Sequence, residues 1–98
     1  MKALALFRRR VVAALDVFVE VAMGRVPRPP APSKHRFKYR LAYGVAGECV
    51  VRYDNELHKG DHRHVGALES PYPFPTPDQL MADFNADLVR WNHENGRP

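Results

Sequence analysis

The stretch YDNELHKGDHRHVG, Tyr53 to Gly66, carries His58, His62 and His64, with Asp54, Glu56, Lys59, Asp61 and Arg63 among them. Imidazole titrates near neutrality, so two of these rings can serve as base and acid. Internal cleavage of RNA asks for that pair. A base takes the 2′-hydroxyl proton, an acid protonates the leaving oxygen, and a cation meets the charge on the pentacovalent phosphorus. In this reading His62 and His64 are the acid–base pair, Lys59 and Arg63 stabilise the charge, and Asp54 or Asp61 orients a histidine ring. Beyond the stretch, Arg36, Lys38, Arg40 and Arg52 would hold phosphates, which positions a strand without reading its sequence. His35 joins the site only if the fold carries it there.

The same residues admit two other readings. In an extended chain His62 and His64 leave one face, as a two-histidine chelate requires, with Asp54, Glu56 or Asp61 to complete it. A zinc-type site takes three or four protein ligands. One His-x-His pair, without a cysteine cluster or a His-Glu-x-x-His helix, does not reach that number. No metal or other cofactor is therefore assigned, and a metal-dependent nuclease stays an alternative. The plainest reading is a solvated loop bracketed by Gly60 and Gly66, with the turn formers Asn55 and Asp61 inside it.

The elements that must position these groups follow from patterning. HRFKYRLAY (His35–Tyr43) alternates strictly, with Phe37, Tyr39, Leu41 and Tyr43 on one side and Arg36, Lys38 and Arg40 on the other, the mark of a half-buried strand. GVAG turns the chain, and ECVVRYD (Glu48–Asp54) returns as the antiparallel partner, with Cys49, Val51 and Tyr53 on one side and Val50, Arg52 and Asp54 on the other. Tyr39, Tyr43 and Tyr53 are either core residues or platforms for stacked bases. The β-branched run from Asp16 to Val26 reads as a strand entered from another before it. PRPPAPS (27–33) forces an extended connection, read as a crossover over one sheet edge or as a ligand for an aromatic groove. The stretch 55–75 shows little regular pattern. Thr76, Pro77, Asp78 and Gln79 open a helix with a capping box. Leu80, Phe84, Leu88 and Trp91 form its inward stripe, and Asn95–Gly96 ends it. Asp83 and Asp87, four apart, read as a solvated or partner-facing edge rather than as paired catalytic carboxylates.

This order gives an α+β fold: an antiparallel sheet of about four strands with one C-terminal helix packed on it. The 98 residues are read as a single domain, 1–98, with 34–93 as its best-defined core. The net charge of +4 divides unequally: residues 1–52 carry +8 and residues 53–98 carry −4. The basic half would attract a polyanion. One cysteine, Cys49, excludes an internal disulfide and fits a reducing cytoplasm. No apolar run approaches a membrane span. MKALALFRRR is read as part of the fold, because its apolar run stops at Phe7 without a signal-peptide cleavage site.

From His35 to Trp91 the chain resembles the TumE-type toxin family of bacterial and archaeal toxin–antitoxin modules. The resemblance is carried by HRFKYR (His35–Arg40), YDNE (Tyr53–Glu56), KGDHRHVG (Lys59–Gly66), PYPF (Pro71–Phe74) and LMADFNAD (Leu80–Asp87). It implies a small cytoplasmic toxin with an antitoxin partner, typically a DNA-binding protein of helix-turn-helix or winged-helix type. A ribonuclease, or a non-enzymatic module that occupies RNA or the ribosome, are the functions such a toxin suggests. His58 lies outside the recognised pattern.

Overall fold

A computed structural model describes residues 4–97. Strands β1 (Leu4–Ala14), β2 (Val17–Arg25), β3 (Phe37–Val45), β4 (Glu48–Glu56), β5 (Gly60–Val65) and β6 (Leu68–Pro71) lie side by side in chain order, each antiparallel to the one before. Helix α1 (Pro77–Glu94) packs on β4. The sheet thus has a helix face and an open face.

The helix face is built by the alternation expected of β3 and β4. Tyr39, Leu41 and Tyr43 meet Met23, Val51 and Tyr53 from the flanking strands and Leu80 and Phe84 from the helix, all buried. Burying each such large apolar side chain contributes about 1.5–3 kcal/mol. Leu88 and Trp91 pack against this cluster partly buried, which completes the helix stripe. Thr76 caps the helix by accepting from the Gln79 amide at 3.1 Å. The reciprocal half of the box is missing, because the Gln79 side chain donates to Asp83 Oδ1 at 2.7 Å instead. Asn95 is the C-cap and Gly96 follows with φ 67°. The β3–β4 turn is Ala46–Gly47, with φ 52° and 81°, the pair of left-handed residues that a two-residue hairpin requires. A bulge in β4 pairs Val51 with Tyr43 but Cys49 with Gly44. Val50 is consequently buried and Cys49 exposed, the reverse of simple alternation.

Two expectations are corrected. The sheet has six strands rather than about four, because residues 60–71 form a hairpin instead of a polar loop. Strand β5 reads Gly-Asp-His-Arg-His-Val, with titratable groups on both faces and no apolar period to betray it. The Pro-rich stretch is not a crossover. It joins β2 to its neighbour β3, closed at its base where the Val26 amide donates to the Arg36 carbonyl at 2.9 Å. It leans on the β4–β5 turn, where His58 N–H donates to the Ala31 carbonyl at 2.8 Å.

Candidate functional site

Antiparallel register decides which side chains share the open face, because directly opposed residues point the same way. One row across the sheet runs Arg10, Glu20, Ala42, Arg52, His64, Glu69. The next runs Ala22, Arg40, Asp54, His62, Pro71. At the β4–β6 end, Arg52, Asp54, Glu56, Lys59, His62, His64 and Glu69 line a pocket of about 110 Å³.

The two histidines have different partners. His62 Nε2 lies 2.5 Å from the Lys59 carbonyl and its Nδ1 lies 3.3 Å from Glu69 Oε1. Both nitrogens face acceptors. His64 Nε2 lies 2.9 Å from Arg52 Nη2. Arginine only donates, so in this contact His64 Nε2 is the acceptor. The same Glu69 oxygen lies 3.7 Å from His64 Nε2, so a single carboxylate stands between the rings. Glu69 was not among the sequence candidates. Its signal is the Gly66–Ala67 turn, which folds residue 69 opposite residue 64.

Of the sequence candidates, His62, His64, Lys59, Asp54 and Arg52 come together. Asp54, buried, is 3.3 Å from Arg52 Nε and 3.8 Å from Arg40 Nη1. It braces arginines rather than a histidine. Arg40 also meets Glu20 at 3.5 Å, so the basic face is interleaved with carboxylates. Lys38 is held at the Asn55 carbonyl, and Arg36 is exposed just before β3.

Arg63 and Asp61 do not belong to this pocket. Odd-numbered residues of β5 point to the helix face, so neither can stand beside His62 and His64. Arg63 makes a two-pronged ion pair with Asp87, Nε and Nη2 at 2.5 and 2.6 Å. Asp87 also accepts from the Tyr53 hydroxyl. Asp87 is therefore a buried clamp between helix and sheet, not a solvated edge. Burial pushes its carboxyl up, but the hydrogen bonds from Arg63 and Tyr53 outweigh that and hold it below the ordinary 3.8. The Asp87 bond also strengthens the hold of Arg63 on its proton. Burial, then the bond to Asp87, pushes the Tyr53 hydroxyl up. Asp83 is occupied as well, accepting from the Tyr72 hydroxyl at 2.5 Å.

Asp61 accepts from Ser33, from Tyr39 at 2.7 Å and from His35 Nε2 at 2.7 Å. It does orient a histidine ring, but that ring is His35, which stacks on Phe74 at 3.8 Å on the helix face. Both nitrogens of His35 are engaged, since its Nδ1 accepts from the Phe37 amide at 3.1 Å. Burial, then the Asp61 bond, pushes the Tyr39 hydroxyl up. Tyr39, Tyr43 and Tyr53 are core residues, 3% exposed or less, and offer no stacking platform. Asn55 is fully buried. Its side chain accepts from the Tyr39 amide at 3.0 Å and donates to the Phe37 carbonyl at 2.7 Å, continuing the β3–β4 pairing where the backbone ladder stops at Arg40–Asp54.

The family model described as Toxin TumE matches residues 3–92. The chain belongs to this toxin family. The match takes in β1 and β2 as well as the segment from His35 onward, so it covers all six strands. No curated protein and no solved structure matches the chain. As a toxin it implies an antitoxin partner. Among the described residues of the toxin, no helix is long and apolar enough to cross a membrane. Nor do three His, Cys, Asp or Glu side chains among them form a group suited to a metal ion.

Proposed function

We propose that this toxin acts on RNA in the cytoplasm, cutting it by metal-independent acid–base catalysis in the histidine pocket. We further propose that it belongs to a type II module, neutralised by a DNA-binding protein antitoxin. The observation that carries the catalytic reading is the unequal hydrogen bonding of His62 and His64 on either side of Glu69. His62, facing two acceptors, is the acid. His64, whose Nε2 already accepts a hydrogen bond, is the base.

The resting contacts suggest an order of events. A phosphate bound at the pocket draws the Arg52 guanidinium away from His64 and frees the Nε2 lone pair. His64 takes the 2′-hydroxyl proton as that oxygen bonds to phosphorus. The bond from phosphorus to the 5′-oxygen breaks, and His62 protonates the leaving oxygen. A 2′,3′-cyclic phosphate remains on one product and a 5′-hydroxyl on the other. Arg52 and Lys59 face the charge that grows on the phosphoryl oxygens. The neighbouring carboxylates offset much of the positive field, so binding rests on these directed contacts and on the arginines further along the sheet.

The test is growth arrest and RNA turnover by wild type, His62→Ala and His64→Ala, with and without chelator. Loss of one proton-transfer group should lower turnover by about 10²–10⁴-fold. Wild-type turnover by both variants would refute the assignment. Salt-sensitive RNA binding without turnover would replace catalysis with a binding module. Turnover abolished by chelator and restored by a divalent ion would favour the metal-dependent alternative.

A further inference from the structure

We infer that the outer edge of β1 is the docking site for an acidic, extended segment of the antitoxin, which adds to the sheet as a seventh strand. The two edges of the sheet are built differently. Strand β6 has four residues, carries Glu69 and ends at Pro71, all features that discourage further pairing. Strand β1 has eleven residues and no proline. Among the described residues it pairs on one side only, with β2. Helix α1 packs on β4, so β1 lies on the flank away from it. Val11 faces Val19 and Val12 faces Phe18, which places the two valines on opposite faces of the edge strand. They are 46% and 70% exposed, and Leu15 in the adjoining turn is fully exposed. An incoming strand would cover apolar surface on both sides while satisfying a row of backbone groups.

Charge selects the occupant. Arg8, Arg9 and Arg10 are consecutive in the middle of β1. A second copy pairing antiparallel around this run would set arginine against arginine, which is destabilising. A strand rich in Asp and Glu meets the same run with attraction. The arginines thus disfavour self-pairing and suit an acidic protein partner. Helix-edge docking has less to offer, since Asp83 and Asp87 are already bonded within the fold. This inference rests on membership of the toxin family and not on the RNA chemistry, so it survives or fails apart from the histidine assignment.

The test uses the full chain with the antitoxin that neutralises it in co-expression. Arg9→Glu combined with Val12→Glu alters two exposed side chains far from the histidine pocket. This variant should bind the antitoxin at least about tenfold more weakly, and Val89→Glu, on the exposed side of the helix, should bind as wild type. Amide exchange on the wild-type complex gives a second measurement that needs no variant. Residues 9–14 should become protected on antitoxin binding. Wild-type affinity in the double variant, or protection confined to other segments, would overturn the inference. So would a concentration-dependent dimer of the toxin alone that protects β1, since the edge would then belong to a second copy.

Discussion

Replacing Asp87 by Asn separates the groups that hold β5 in place from those proposed to act on substrate. The Asp87 carboxylate is 5% exposed and receives both prongs of Arg63 and the Tyr53 hydroxyl. Removing one partner of a fully buried ion pair costs about 3–5 kcal/mol. Arg63 keeps 34% of its side chain in water, and an amide still accepts a hydrogen bond, so we expect about 2–3 kcal/mol. With a urea m-value of about 1–1.5 kcal/mol/M for a small domain, the midpoint should fall by roughly 2 M. Trp91, the single tryptophan, sits edge-on to Tyr43 at 6.1 Å and reports unfolding by fluorescence. Because the folded-state pKa of Asp87 is depressed, its contribution is complete above 3.8 and is lost as pH falls through the folded value. The gap between wild type and variant should therefore be constant near neutrality and close in acid. Growth arrest should persist at temperatures where the variant stays folded. An unchanged midpoint, a gap that widens on acidification, or loss of toxicity in a stably folded variant would refute this reasoning.

Other residues make separate predictions. Asn55→Ala should cost about 1–3 kcal/mol by leaving the Tyr39 amide and the Phe37 carbonyl without their side-chain partner, and amide exchange at Tyr39 should accelerate. At Gly44 an added Cβ would lie 2.0 Å from the Phe18 ring, so Gly44→Ala should destabilise by about 1–3 kcal/mol. Adding Phe18→Ala should recover part of that loss in a double-mutant cycle of thermal melts. Arg52→Gln should weaken RNA binding and lower the salt slope by about one, read from filter binding across a salt series.

Much of the scaffold was legible in the residues. Alternation in β3 and β4 placed Tyr39, Leu41, Tyr43, Val51 and Tyr53 on the buried side, because a strand side chain can point only one of two ways. Thr76 and the Leu80–Phe84 spacing marked the helix start and its inward stripe. The hairpin of β5 and β6 was not legible, since two of the helix-facing positions of β5 carry Asp61 and Arg63 and only Val65 is apolar there. Their burial is offset by Ser33, Tyr39, His35 and Asp87, partners from distant parts of the chain.

The residue types alone determined that this chain carries acid–base groups at high density beside an aromatic–basic strand, and that His62 and His64 share a side if extended. Only the tertiary structure decided their company. Register brought Arg52 and Glu69 to the histidines and carried Asp61 and Arg63 through the sheet to the helix face. The physical reason is the two-residue period of a strand. Neighbours in sequence are sent to opposite faces, so the densest run of titratable residues was divided into a candidate site and a clamp.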